Sequence, residues 1–557
     1  MAQPTLIETF FERVQERPNQ PALWCKQSGE FCSTSWSQLA EQVFRLAAGL
    51  VACNVQPGDR VLQLSENRHE WIVADLAIQS AGAVHVPVHA PLAAEQVGYQ
   101  IEHSSPRVIL VSTADQAAKI ERCSDVLGPD QRIFAFEPCV STVNGHPIGS
   151  CNELTRTQSA AEGQSIWKRT LQQLRGDSLA TILYTSGTTG EPKGVMLSHD
   201  NLAENTQATL AAIGHKEDDL RLNLLPLSHI FARTCDLYTW IAAGTQLALT
   251  ESRDTVLADC NAIQPTVLNA VPYFYDKVRR VLIERGLADT DGALSASFGG
   301  RVRLCCSGGA ALPDHVFDFY EQRGLPILQG YGLTETSPVI TVCTEAHVRR
   351  GSAGRALAGV EVRIAEDGEI LTRGPHVMLG YDRDQAATND ILRAGWLHTG
   401  DLGHMDADGF LFITGRKKEI LVTSGGKNVA PVQLESLLCE DPMILQSIVV
   451  GDNRNYLAAL IVPDPDVLKR RIQEKNIQVT SVADAQEHPE VMALYQEVIG
   501  RQLHGVSHYE QVRRFVLLDR GFSIENGELT PKLSLRRKVI EENFQQQIET
   551  MYDADAS

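Results

Sequence analysis

Tyr184-Thr185-Ser186-Gly187-Thr188-Thr189-Gly190-Glu191-Pro192-Lys193-Gly194 is the stretch from which the rest of the chain can be read. It follows a short apolar run, Leu179 to Tyr184, that reads as a buried strand. It precedes Asp200-Asn201-Leu202, whose residue types suit a capped helix start. Four serine or threonine hydroxyls, three glycines and one lysine fall within these eleven positions. Glycines let backbone N–H groups turn toward phosphate oxygens, hydroxyls add donors, and a lysine offsets charge, so the stretch reads as a polyphosphate cradle. It is not a Walker P-loop, because Pro192-Lys193-Gly194 replaces the Gly-Lys-Ser/Thr ending. Composition alone would equally suit a solvated loop between two elements. The decision rests on what surrounds it.

At 557 residues the chain is too long for one ordinary core, so two or more domains are expected. Its 43% hydrophobic and 21% charged residues are ordinary for a globular enzyme. A formal net charge of −19 disfavours nucleic acid and allows at most peripheral contact with anionic membranes. Arg416-Lys417-Lys418 with Lys427 is a local basic concentration, which on spacing alone reads as a solvated face. Twelve cysteines lack C-x-x-C pairs, a pattern that suits buried thiols in a reducing compartment. No histidine spacing matches a zinc motif, and Met1 to Glu16 lacks the profile of a signal peptide. No apolar run reaches the roughly 18–20 residues that cross a bilayer. The expectation is a cytoplasmic enzyme.

Along the first 135 residues helical patterns alternate with short apolar strands. Gln38 to Ala52 reads as a helix, Asp59 to Leu64 as a strand, Trp71 to Ala81 as a second helix and Ala83 to Val88 as another strand. That alternation predicts doubly wound α/β architecture. Val140 to Gln173 reads as a polar, patternless surface excursion. The α/β grammar returns at Arg301 to Gln329, where Ser307-Gly308-Gly309-Ala310 leaves one strand and Gly330-Tyr331-Gly332-Leu333-Thr334-Glu335 leaves the next. Ligands of open parallel sheets bind outside the carboxyl ends of the strands. The three loops therefore predict one composite site. After Gly395-Trp396 the texture changes, Gly415-Arg416-Lys417-Lys418 reads as a charged hinge, and the last 140 or so residues suffice for a small separate domain. The predicted fold class is α/β: a large N-terminal domain of doubly wound sheets, residues 1–417, and a small mobile α+β domain, residues 418–557.

Four motifs stand in order: Tyr184–Gly194, Gly330–Glu335 with Thr336-Ser337-Pro338, His398-Thr399-Gly400-Asp401, and Gly415-Arg416-Lys417-Lys418. Together they resemble the adenylate-forming superfamily of acyl-CoA synthetases, non-ribosomal adenylation domains and luciferases, along nearly the whole chain. Leu225-Pro226-Leu227-Ser228-His229-Ile230-Phe231 and Ile420 to Pro431 resemble its long-chain fatty acid–CoA ligase branch. The resemblance implies that Thr185, Ser186, Gly187, Thr188, Thr189, Gly190 and Lys193 hold ATP phosphates, with Thr185 and Glu335 near Mg²⁺. It implies that Ser307, Gly308, Gly309 and Ala310 line the adenine and the acyl entrance, with Tyr331 on the purine. Gln329, Gly330, Gly332, Leu333, Thr334 and Ile413 extend the nucleotide site. Asp401 is implied as the partner of the ribose hydroxyls, and Arg416 as a donor fork for the α-phosphate or ribose. His229 is implied near the acyl group, Lys418 as the pivot, and Gly425, Gly426 and Lys427 along the CoA passage.

The implied reaction is attack of a fatty acid carboxylate on ATP, giving acyl-AMP and pyrophosphate, then transfer of the acyl group to CoA. Two departures bear on it. The lysine of the first half-reaction is expected in Leu529-Thr530-Pro531-Lys532-Leu533-Ser534-Leu535, where its position is Ser534, so Lys532 is the candidate substitute. Arg233 stands where some long-chain enzymes gate the acyl tunnel with tryptophan. An acyl-AMP ligase loading a carrier protein and an adenylate-binding protein with reduced turnover remain as alternatives. Acyl chain length and a homodimer stay open.

Overall fold

The computed structural model describes residues 3–139, 142–143, 145–185, 191–252, 254–523, 525–529 and 535–553. Among these residues, two large sheets take most of the strands up to Tyr381, while Glu361–Ile364 and Glu369–Arg373 belong to a third sheet with Trp396–Met405. The first runs in space Gly380–Tyr381, Lys193–Ser198, Leu179–Thr185, Val84–His89, Arg60–Ser65, Val108–Val111, Arg132–Ala135, Gly149–Ser150. Its centre is parallel: Arg60–Ser65 pairs with both Val84–His89 and Val108–Val111, and Thr181 pairs with His85. Helices cover both faces of such a sheet, which is why Val61, Leu62, Leu64, Val84, Val86, Val88 and Val108 to Val111 are all buried.

The second sheet repeats the plan. Gln246–Leu249, Leu220–Asn223, Val267–Ala270, Leu304–Ser307 and Ile327–Gly332 lie side by side in parallel. The expected doubly wound architecture is therefore present twice. The two halves are joined through packed rings: Trp36 opens the helix Trp36–Ala52, capped by a Ser35/Gln38 box, and stacks on Trp240 at 4.9 Å.

Two local expectations are corrected. Val140 to Gln173 is not patternless, because Cys151–Arg156 and Ala160–Gln173 are helices. Gly163, Ile166, Trp167 and Thr170 follow the i, i+3, i+4, i+7 spacing and are the buried residues of the second helix. Trp167 meets Phe11 at 4.1 Å, and a Cβ on Gly163 would stand 1.9 Å from the Phe44 carbonyl oxygen. Polar residues between these four hid the stripe. The helix start read at Asp200-Asn201-Leu202 is present, with a strand before it that the sequence reading left out. Lys193–Ser198 is a strand antiparallel to Leu179–Thr185, and the helix His199–Ile213 begins only after Ser198 caps it. The second correction is that Gly330-Tyr331-Gly332 continues the strand Ile327–Gly332, and the turn comes at Thr334–Thr336. A Cβ on Gly332 would lie 1.7 Å from the Pro338 carbonyl oxygen, so glycine alone permits that pairing.

Beyond Trp396–Met405, which pairs with Leu411–Arg416, the chain builds a three-stranded sheet of Ile444–Val450, Leu457–Pro463 and Val512–Leu517. Two apolar clusters contain only residues from 421 to 552. Arg280 and Asp464 form an ion pair, at 3.0 Å, between this part and the second sheet's helix Pro272–Glu284. Among the described residues no helix is long and apolar enough to cross a membrane.

Candidate active site

Register brings the phosphate-side groups together. Thr185 is the partner of Lys193 where the hairpin strands meet, so the last residue before Ser186 and the cation after Pro192 face each other across one rung. The Lys193 ammonium lies 5.0 Å from the Tyr381 ring centre. The Tyr381 hydroxyl donates to Glu335 Oε1 at 2.8 Å, and the Glu335 carbonyl accepts from Met378 N–H at 2.9 Å. Burial and the neighbouring Glu335 charge push the Tyr381 phenol well above its ordinary range, so it stays a donor. The result is a cation, a phenol and a carboxylate in one chain of contacts at the mouth of the phosphate loop. Ser186, Gly187, Thr188, Thr189 and Gly190 lie outside the described residues.

A second group is built by the second sheet and the strand Trp396–Met405. Asp401 is 3% exposed and is the register partner of Arg416. Arg416 Nε stands 2.9 Å from Asp401 Oδ1, while the Tyr331 hydroxyl donates to Oδ2 at 2.7 Å. Burial pushes the Asp401 carboxyl up, and Arg416 and Tyr331 pull it part of the way back. Asp401 is thus a strand residue held by a guanidinium and a phenol, neither a helix cap nor a turn residue. Ser307 ends the strand Leu304–Ser307, is 1% exposed, and its Oγ has no hydrogen-bond partner among the described residues. A buried hydroxyl without a partner fits a ligand group at the strand end. Gly308 is buried against Phe231, whose ring a Cβ there would meet at 3.2 Å, whereas Gly309 and Ala310 are exposed. Gln329 is buried, Thr334 is buried, and Gly330, Gly332 and Leu333 are half-buried; Ile413 is exposed on Leu411–Arg416.

His229 follows the second-sheet strand Leu220–Asn223 and opens the next helical run. Its Nδ1 accepts from the Phe231 N–H at 3.1 Å, opening the helical run Ile230–Ala232. His89, from the first sheet, lies with its ring nearly parallel to that of His229, 6.1 Å away, and contacts Ser228 Oγ through Nδ1 at 2.7 Å. Sequence reasoning missed His89. Its signal was a polar residue closing an apolar strand at the carboxyl end of a parallel sheet.

Arg233 is fully buried within a π-helical turn, Arg233–Tyr238. It contacts Asp75, donates to Thr181 Oγ1 at 2.8 Å and lies 2.9 Å from His85 Nδ1. Burial alone would push Asp75 up, but Arg233 and His85 hold it at about 2. Burial, reinforced by the Arg233 charge, lowers His85 to about 4. Gly425, Gly426 and Lys427 are exposed, and the contacts of their loop are with Arg454 and Tyr509 in the C-terminal part. Lys418 lies in the single turn Lys417–Glu419, next to a Lys417 paired with Asp367 and Glu369. Lys532 and Ser534 lie outside the described residues. Among the described residues there is no cluster of three or more metal-ligating side chains.

The sequence model of the AMP-binding enzymes matches residues 10–382, and that of their C-terminal domain matches residues 418–556. The chain belongs to the adenylate-forming AMP-binding enzymes. Long-chain-fatty-acid–CoA ligase FadD15 of Mycobacterium bovis is 32% identical, over 98% of this chain and 96% of that protein. Long-chain-fatty-acid–CoA ligase ACSBG2 of Homo sapiens is 27% identical, over 98% and 92%. Among solved structures, ATP-bound MatB from Rhodopseudomonas palustris is 25% identical with a TM-score of 0.77, covering 97% of this chain and 99% of MatB. The anthranilate CoA ligase AuaEII, solved with anthranoyl-AMP, has a TM-score of 0.81 at 21% identity over 99% of both chains, a likeness of fold.

Proposed function

We propose that this AMP-binding enzyme activates a fatty acid: carboxylate and ATP give acyl-AMP and pyrophosphate, and CoA then takes the acyl group, releasing AMP. The observation that carries the reading is the pair of contact chains, Lys193–Tyr381–Glu335 and Tyr331–Asp401–Arg416. The first suits a polyphosphate and the second a ribose. The near full-length similarity to proteins named long-chain-fatty-acid–CoA ligases supports fatty acid and CoA as the co-substrates.

In this reading Lys193 neutralises phosphate charge and lowers the repulsion that a carboxylate meets on approaching ATP. Asp401 accepts from the ribose hydroxyls, and Arg416, already beside it, donates toward the α-phosphate. Holding both substrates in line supplies up to about 7–11 kcal/mol of the barrier reduction. Glu335 and Thr185 offer oxygen donors of the kind Mg²⁺ takes, one carboxylate and one hydroxyl, with substrate phosphates to complete the shell. Bound there, Mg²⁺ would neutralise charge on the departing pyrophosphate. Ser186 to Gly190 complete the cradle, and Lys532 is the proposed cation for the carboxylate. We divide the chain at 417/418, with Lys418 as pivot and Gly425, Gly426 and Lys427 meeting CoA after rotation.

Incubation with ATP, Mg²⁺ and a panel of saturated fatty acids tests the proposal. Pyrophosphate release with an enzyme-held acyl-AMP, followed by AMP release only when CoA is added, is the expected result. Acyl-AMP that persists with CoA and discharges to a carrier protein would assign the second step elsewhere. No pyrophosphate with any carboxylate would remove the proposal.

A further inference from the structure

The loop that carries His229 belongs to the second sheet, yet it is fixed by side chains from the first. Asn67 follows the strand Arg60–Ser65. Its Oδ1 accepts from Leu227 N–H at 2.8 Å, and its Nδ2 donates to the Leu225 carbonyl and to Asn223 Oδ1, each at 2.7 Å. The backbone is thereby held up to Leu227. The next two residues, Ser228 and His229, are held by His89: one through the 2.7 Å contact to its hydroxyl, the other through the parallel ring.

What that ring contact does follows from the freedom of a histidine. The second side-chain torsion of imidazole is broad, with no sharp staggered wells, so contacts must select the ring angle: the Phe231 N–H restrains one edge and the His89 ring lies along one face. The Phe231 N–H donates to His229 Nδ1, so a neutral His229 carries its proton on Nε2. That N–H lies in the ring plane, and any turn of the ring swings it away from a fixed target. We infer that His89 is a positioning residue for His229: its ring face sets the plane in which His229 Nε2–H points, and Ser228 fixes His89 in turn. The two sheets then share the site, because the donor comes from one and its orientation from the other.

The inference rests on the proposed function for the step it serves, donation by His229 toward the reacting carboxylate or α-phosphate. Three substitutions separate the parts. His89→Phe keeps a ring face and loses the contact to Ser228. His89→Gln keeps a polar partner for Ser228 and loses the face. Ser228→Ala removes only the hydroxyl. In single-turnover pyrophosphate release at saturation, His89→Gln is expected to slow adenylation about ten- to a hundredfold, the scale of a small misplacement. KM for ATP should stay within about twofold, since nucleotide binding is untouched. His89→Phe should keep most of the wild-type rate, Ser228→Ala should fall between the two, and acyl transfer from supplied acyl-AMP to CoA should be unchanged in all three. Equal losses in His89→Phe and His89→Gln, or a wild-type rate in His89→Gln, would overturn the inference.

A readout without turnover keeps the two readings apart. Imidazole ¹⁵N spectra of the unliganded protein should show a fixed Nε2–H form for His229 in the wild type and an averaged one in His89→Gln. Identical spectra would overturn the positioning role even if the enzyme is active. If the wild type forms no acyl-adenylate, the spectra still decide whether His89 sets the ring, while the proposed function falls by itself.

Discussion

Among the described residues the Lys193 ammonium meets the face of Tyr381, a contact worth about 0.5–1 kcal/mol at a partly solvated site. In the proposed function its value lies in what it meets when ATP is present. Lys193→Ala is therefore expected to cost less than about 1 kcal/mol of stability. It should slow pyrophosphate release by on the order of 10²–10³, the usual effect of losing one such charge. Parallel losses in urea unfolding and in activity would reassign the residue to the fold. Residue types of this kind were legible in the sequence, because lysine, glutamate and aspartate keep fixed distances from motif glycines. The partners were not: Tyr381 lies 188 positions from Lys193, and no local pattern ties Tyr381 to Glu335 or His89 to His229. Those pairings are set by strand order, which a single sequence does not print.

Elements were legible where apolar spacing was uninterrupted, as in Trp36–Ala52 and Val84–His89, and failed where one function masked another. Lys193–Ser198 went unread between the glycine-rich stretch and the helix start at Asp200, although Val195 and Leu197 alternate as a strand requires. The helix Ala160–Gln173 tests the same point by mutation. Gly163→Ala would set a methyl against the Phe44 backbone, which cannot swing aside as a side chain would. Overpacking of this kind costs about 1–3 kcal/mol, to be read as a lower urea midpoint. An unchanged midpoint would mean that this helix does not pack where it lies.

The π-helical turn Arg233–Tyr238 concerns a charge. Arg233 joins the turn to Asp75 and Thr181, and Thr234 Oγ1 donates to the Ser337 carbonyl at 2.9 Å, so one turn touches the strand of the phosphate loop and the Glu335 motif. Arg233→Met should cost about 3–5 kcal/mol because it strands the Asp75 carboxylate in the interior. Arg233→Met with Asp75→Leu should recover much of that loss. If the double variant is no more stable than the single one, packing around Arg233 is the cause, and charge is not.

At the scale of the whole molecule, buried titratable groups make stability depend on pH. His85, His199 and His376 are each lowered by burial from an ordinary value near 6.5 to about 4. They stay neutral in the fold while the unfolded chain takes up protons below about 6.5, so their contribution is complete above that pH and is lost as pH falls toward 4. Asp236 acts in the opposite sense: burial raises it to about 6, so the folded state binds its proton first. For these four groups the balance is a net uptake of about two protons on unfolding near pH 5.5, or about 3 kcal/mol per pH unit. Urea midpoints at pH 7.5, 6.5 and 5.5 should be similar for the first two and clearly lower for the third. A flat profile would mean that these imidazoles reach solvent.

The joint between the two parts of the chain turns on Asp464, which has two tasks on two oxygens. Oδ1 accepts from Asp466 and Val467 N–H, each at 3.1 Å, and so caps Pro465–Glu474; Oδ2 takes Arg280 at 3.0 Å across the seam. Arg280 is itself anchored by Asp276, which Arg279 and His315 also contact, so the bridge ties a fixed cation to a helix start. Asparagine can cap a helix as aspartate does but carries no charge. Asp464→Asn should therefore keep its stability within about 1 kcal/mol, the worth of a pair that water partly reaches. Asp464→Ala should lose about 1 kcal/mol more with the cap. Both variants should be cleaved faster by protease between Lys417 and Leu421, and added salt should speed cleavage of the wild type but not of Asp464→Asn. Equal stability of the two variants would remove the capping role. Cleavage at the wild-type rate would show that the seam is held elsewhere.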